Sequence, residues 1–140
     1  MRSPEEVKRD LVRQWLTKAE EDFGLAEQLL EEDSPYLNAI GFHAQQAAEK
    51  YLKAILVWHQ IDFPKTHNLG ELLDLVKKAD SPLADSLRGA TALNPYGVEI
   101  RYPGDLPEMT PAEAKQAGNW ARQVRTVILS FFKGRLEFGK

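Results

Sequence analysis

Four times in this chain a serine or threonine stands directly before a proline: Ser3-Pro4, Ser34-Pro35, Ser81-Pro82 and Thr110-Pro111. Each pair marks a helix start. The hydroxyl accepts a hydrogen bond from a free backbone N–H of the first turn, and proline at the first helical position lacks only an N–H that has no helical partner. Glu6 and Glu113 follow Ser3 and Thr110 by three residues and complete capping boxes, in which the carboxylate accepts in return from the N–H of the cap residue. Asn68, with Glu71 three residues on, supplies a fifth start. Five starts in 140 residues leave little room for anything but helices.

Apolar periodicity agrees with the five starts. A first helix near 4–31 carries Leu11, Trp15, Ala19, Phe23, Ala26 and Leu30 at helical spacing. A second, near 35–59, sets Ile40, Ala44, Ala48, Leu52 and Ile55 on one side. Shorter helices near 69–79 and 82–93 are followed by a long one near 111–133, with Ala117, Ala121, Val124, Ile128 and Phe131 in three- and four-residue steps. No segment alternates as a half-buried strand does. The expected fold is all-α, an up-and-down antiparallel bundle of four to five helices forming a single domain over residues 1–140. One irregular stretch interrupts it at about 94–109, NPYGVEIRYPGDLPEM, where three prolines and two glycines forbid a helix. Loops of that length inside a compact domain are frequently functional.

Several classes of function are excluded by what the chain lacks. Without cysteine there is neither a disulfide framework nor a thiolate metal site, and three histidines without HExxH spacing give no recognisable metal motif. No cofactor and no metal are expected, since Gly-rich phosphate loops and the GxSxG elbow are also missing. The charged N-terminus MRSPEEVKRD has no apolar run of the signal-peptide kind, and nothing approaches a membrane span, so a cytoplasmic protein without membrane contact is expected. A formal charge of −3 argues against general nucleic-acid binding while leaving room for a local basic pocket.

Three clusters carry possible chemistry. On the second helix, His43 and Lys50 share a stripe beside the apolar face, with Gln46 and Lys53 slightly further round. They read either as an ordinary helix margin, lysine stems covering apolar surface, or as a binding surface. Thr66, His67 and Asn68 lead into the third helix, whose free N–H groups attract anions; a histidine there is equally suited to a structural bond. In the long loop, Arg101 and Tyr102 precede Pro103, an arrangement fit to grip a phosphate in two-point fashion or to tie the loop to the bundle by an ion pair.

Taken in order, these clusters resemble the HEPN family of prokaryotic helical domains. The resemblance rests on Trp15, Ala19, Asp22 and Leu29-Leu30 of the first helix, on the run Phe42-His43-Ala-Gln-Gln-Ala-Ala-Glu-Lys-Tyr-Leu-Lys-Ala54, on Lys65-Thr66-His67-Asn68-Leu69, and on Arg101-Tyr102-Pro103. It spans roughly residues 10–133. It implies a four- or five-helix bundle, frequent homodimers and pairing with small nucleotidyltransferases. Some relatives are toxin or defence ribonucleases; others are regarded as nucleotide- or ligand-binding modules.

The ribonuclease members carry Arg, four to six residues, then His. Here the positions after Arg101 hold Leu106, Pro107 and Glu108, and those after Arg88 hold Leu93, Asn94 and Pro95. The expectation is therefore a non-catalytic HEPN binding module for a nucleotide or other phosphate-bearing ligand, beside a nucleotidyltransferase partner and as a homodimer. Its site would be lined by Lys50, Lys53, His67, Arg101, Tyr102 and His43. Two alternatives stand against it: a metal-independent ribonuclease toxin of a toxin–antitoxin or defence system, and a purely structural dimerisation unit.

Overall fold

The structure is a computed structural model that describes residues 2–97, 102–104 and 108–136. Within them the chain forms α1 (Pro4–Glu31), α2 (Leu37–Trp58), α3 (Leu69–Lys77), α4 (Ser81–Ser86), a 3-10 helix (Arg88–Tyr96) and α5 (Pro111–Phe132). No β-strand occurs among the described residues. The fold is the expected all-α bundle.

Three of the five starts form as the sequence dictates. Ser3 and Thr110 close full capping boxes with Glu6 and Glu113, and the Asn68 side chain accepts from the Glu71 N–H. The other two shift. Ser34 does not cap α2; its Oγ accepts from the Tyr36 N–H in a turn, and α2 begins at Leu37 without a side-chain cap. At α4 the cap is Asp80, whose carboxylate accepts from Leu83, so Ser81 is already helical. The fourth helix is also shorter than expected. It ends at Ser86, and the chain continues as the 3-10 helix to Tyr96, carrying the start of the expected loop with it. Gly89, Thr91 and Pro95 are poor α-helix residues, and the tighter 3-10 winding accommodates them.

Helix α2 is the axis of the molecule. Its residues Tyr51, Leu52, Lys53, Ala54, Ile55 and Leu56 are all buried, and six consecutive buried positions in a helix of 3.6 residues per turn mean that every side is covered. Helix α1 packs against one side through Val12, Leu16, Ala19 and Ala26. Ala19 and Ala26 belong to the expected face, and Trp15 and Phe23 pack partly buried against the core, but Val12 and Leu16 are covered beside them and Leu11 is left 43% exposed. Alanines at 44, 47 and 48 let the helices approach closely. Helix α5 covers another side with Ala117, Ala121, Val124, Ile128 and Phe132. Its Arg122 and Arg125 bond Glu27 and Glu20 of α1, so α5 runs antiparallel to α1. The short helices close the remaining side and return the chain along α2, bringing Gly97 against the Gln45 side chain.

The aromatic residues Trp58, Trp120, Phe131 and Phe132 are consumed within the chain. Trp58 meets Phe131 and Phe132 edge to face, and Trp120 fills the space left open at Gly89.

Candidate functional site

The polar residues of α2 do not project freely into water; two carboxylates organise them. Asp22 of α1 faces the His43–Lys50 stripe and takes both groups, His43 Nδ1 at 2.8 Å and Lys50 Nζ at 2.5 Å. Further along the same seam, the Lys53 ammonium lies 5.3 Å from the Trp15 ring centroid and 5.6 Å from that of Phe63. Its stem and head are covered, leaving the residue 7% exposed. Burying an ammonium is costly unless it is paired. Glu49, one turn earlier and 3% exposed, supplies the partner at 2.8 Å.

Glu49 is the second hub. Besides Lys53 it accepts from Gln45 Nε2 at 3.3 Å and Gln46 Nε2 at 3.4 Å, and its Oε1 lies 2.8 Å from His67 Nδ1. Gln45, fully buried, also donates to the His67 carbonyl at 2.9 Å and accepts from Gln46 at 2.8 Å. These bonds hold the 61–68 connection back along the helix. His67 therefore sits beside mid-α2 rather than at its C-terminal end. Its side chain is 70% exposed although its Nδ1 is tied to a buried carboxylate.

Of the six residues expected at the site, four come together in this way: His43 and Lys50 on Asp22, Lys53 and His67 on Glu49. Tyr102 is 71% exposed, on the surface; Arg101 lies outside the described residues. The N-terminus of α3 contributes less than its sequence promised. The Leu69 N–H donates to Asn94 Oδ1 at 2.8 Å, that of Glu71 to Asn68 Oδ1 at 3.2 Å, and that of Leu72 to the Asn68 carbonyl. Those three donors are thus satisfied within the chain.

Charge can be counted directly. Lys50 with Asp22 and Lys53 with Glu49 cancel pairwise, so the lysines bring direction and hydrogen-bond donors but no net positive field. The imidazoles differ. Each has Nδ1 2.8 Å from a carboxylate oxygen, where a lone pair would face negative charge, so Nδ1 carries a proton and donates. Carboxylate–histidine pairs of this kind fix both the tautomer and the ring plane.

Sequence reasoning overlooked Asp22, Gln45 and Glu49 as site residues. The Glu49–Lys53 spacing of four along a helix was a legible signal for one pair. Asp22 meets α2 only through tertiary folding, and nothing local to it announces that role.

A second polar network lies between α1, α2 and α5. The Tyr51 hydroxyl donates to Glu20, which also receives Arg125 through Nε at 2.7 Å and Nη2 at 3.1 Å. Burial pushes the Tyr51 phenol far above its ordinary range, and the Glu20 carboxylate reinforces this. Burial works against ionisation of Glu20, but the bonds from Arg125 and Tyr51 outweigh it and hold its carboxyl below the usual range. The Arg125 guanidinium also stacks 5.0 Å from the Phe23 ring centroid. This network fastens three helices and reads as structural. At the far end of the bundle, a cleft of about 860 Å³ runs between α1, α2 and α5 over Leu30, Leu37, Ile40 and Ala114.

A family model described as HEPN domain matches residues 12–131 of the chain. Among solved structures, the chain is similar to the crystal structure of TT1696 from Thermus thermophilus, with 26% sequence identity and a TM-score of 0.69, over 85% of this chain and 96% of that one. No curated protein matches it.

Proposed function

The chain belongs to the HEPN domain family, and we propose that within it this protein is a non-catalytic binding module for a nucleotide or related phosphate-bearing ligand. The observation that carries this reading is the pair of polar clusters along α2, where His43 and Lys50 are held on Asp22, and Lys53 and His67 on Glu49, instead of being left to solvent. Preorganised donors bind an anion without a further ordering cost. Arg101 and Tyr102 complete the site in this reading, the guanidinium gripping phosphate and the phenol stacking or hydrogen-bonding.

Spacing favours binding over catalysis. Phosphoryl transfer to a 2′-hydroxyl needs a proton acceptor and a proton donor within hydrogen-bond reach of one reacting phosphate. His43 and Glu49, the residue that holds His67, stand six residues apart on α2, which is about 9 Å along the axis. The Arg-to-His spacing of the ribonuclease members is absent as well.

Nucleotides and inorganic phosphate should raise the melting temperature of the protein, less so as salt is added, and Arg101→Ala should weaken that binding at least about tenfold, the worth of one charge-assisted bond. Absence of any shift with any phosphate compound would overturn the reading. An Arg101→Ala variant that melts far below the parent without ligand would make Arg101 a structural tie instead. The partner in this reading is a small nucleotidyltransferase, tested by co-purification of the two proteins.

A further inference from the structure

We propose that the cleft at the far end of the bundle, between α1, α2 and α5, is a second binding site that takes an apolar ligand carrying a positively charged head. It shares no lining residue with the polar clusters along α2 and stands independently of the phosphate reading. The cleft has a volume of about 860 Å³, within the range of about 300–1,000 Å³ common to small-molecule sites. Along α5 its wall runs from Pro111 past Lys115 and Asn119 to Arg122, a length of about 16 Å.

Its floor comes from a small core cluster separate from the main one. Ile40 and Ala114 are buried there, and Leu29, Leu30 and Leu37 pack half-buried against them. Ala114 lines the cleft with a single methyl group and leaves space that a longer side chain would fill. Leu30 lies over Gly118, so near that a Cβ there would come within 2.5 Å of Leu30 Cδ1. The walls are fastened within the chain. Arg122 clasps Glu27 across α5 and α1 at 2.6 and 2.7 Å. The turn from α1 to α2 is fixed by Ser34, whose N–H donates to the Leu29 carbonyl and whose Oγ accepts from the Tyr36 N–H. A cleft formed before its ligand arrives costs little ordering to fill.

Charge on the rim sets the head group. Glu27 and Arg122 neutralise each other, and Asn119 spends its side-chain oxygen on the same guanidinium at 2.9 Å. Three charged residues of the lining remain, and none has an ion pair or side-chain hydrogen bond among the described residues: Glu31 and Asp33 on the α1 side, Lys115 on the α5 side. Two carboxylates against one ammonium leave one net negative charge. Both carboxylates lie at the C-terminal end of α1, where the helix dipole adds its own negative pole. The carbonyls of Gln28, Leu29 and Leu30 already accept from the N–H groups of Glu32, Ser34 and Asp33, so the carboxylates are left to hold a cation. A ligand with its apolar body over Leu30, Leu37 and Ile40 and an ammonium at Glu31 and Asp33 meets both demands. An anionic head meets repulsion at that rim.

The test is NMR titration of the whole isotope-labelled protein with decylamine, decanol and decanoate, which share one alkyl chain and differ in head charge, each kept below micelle formation. Decylamine should give saturable shifts centred on Leu30, Leu37, Ile40 and Ala114. It should bind at least about tenfold more tightly than decanoate, since each solvent-facing ion pair contributes a factor of about two to five and repulsion of the acid widens the gap. Decanol should fall between them. The double variant Glu31→Gln, Asp33→Asn alters two exposed side chains, and asparagine tolerates the φ of 50° at position 33. It should weaken decylamine about fivefold while leaving decanol unchanged, which also reports an intact cleft. Leu37→Trp, which fills the cleft, should abolish the shifts with all three compounds. Equal binding of the three by the parent protein, or undiminished decylamine binding by the double variant, overturns the cationic head. Shifts centred elsewhere, shifts that survive Leu37→Trp, or no saturable shift with any compound overturn the site itself.

Discussion

Replacing Glu49 with alanine is the most informative single change to the fold. The side chain is 3% exposed and receives Lys53 and His67 at 2.8 Å, with Gln45 and Gln46 at 3.3 and 3.4 Å. Its removal strands a lysine that is itself only 7% exposed. Breaking a buried ion pair from one side costs about 3–5 kcal/mol, because the surviving charge stays desolvated. The Trp15 and Phe63 faces remain 5.3 and 5.6 Å from the ammonium and retain about 0.5–2 kcal/mol of cation–π attraction. Glu49→Ala should therefore lose about 3 kcal/mol in urea denaturation, and its melting temperature should fall by about 6–12 °C, at roughly 2–4 °C per kcal/mol for a domain of this size. The double variant Glu49→Leu, Lys53→Met should recover most of the loss, since apolar residues of similar volume replace a buried pair at little cost. A loss below about 1 kcal/mol in the single variant, or a double variant no more stable than the single, would refute the view that this pair is a buried, mutually dependent unit.

Three further outcomes are expected. Gly89→Ala should destabilise the protein by about 1–3 kcal/mol in urea titrations, because the added Cβ would lie 2.1 Å from the Trp120 ring. A carboxyl held below its ordinary range stabilises the fold above that range, and the contribution disappears as pH falls through its native value. Glu20, held down by Arg125 and Tyr51 against the effect of burial, behaves so; Glu20→Gln should flatten the acid-side fall of melting temperature, most visibly between about pH 5 and pH 2. Purified protein incubated with mixed single-stranded and structured RNA should show no cleavage above background; cleavage abolished by Arg101→Ala together with either His43→Ala or His67→Ala would restore the ribonuclease alternative.

Capping chemistry made most of the fold legible, because a cap is written in neighbouring residues: Ser3 with Glu6, Thr110 with Glu113 and Asn68 with Glu71 act across three positions. Where local signals compete, the reading slipped. Ser34 spends its hydroxyl on a turn, Asp80 captures a helix start from Ser81, and Gly89 with Pro95 converts an expected α-helix into a 3-10 one. On α1 the expected Ala19 and Ala26 are buried, but Val12 and Leu16 are covered more fully than Leu11 and Trp15; all four are apolar, and only packing against α2 decides between them. In the candidate site, His43, Lys50 and Lys53 were visible through helical periodicity and His67 through its place before a helix. The carboxylates that bind them were not, since Asp22 joins its partners across 21 and 28 residues. That tertiary pairing changes the chemistry, from free lysines offering positive charge to neutral pairs flanking two directed imidazoles.

The central claim, that a phosphate-bearing ligand binds at the polar clusters along α2, is tested most directly by titrating adenosine triphosphate into isotope-labelled protein and mapping amide and imidazole NMR shifts onto the fold. Binding there predicts saturable shifts at Asp22, His43, Gln46, Lys50, Lys53 and His67. Shifts confined to Leu30, Leu37, Ile40 and Ala114 around the far cleft, or no saturable shift at all, would contradict it.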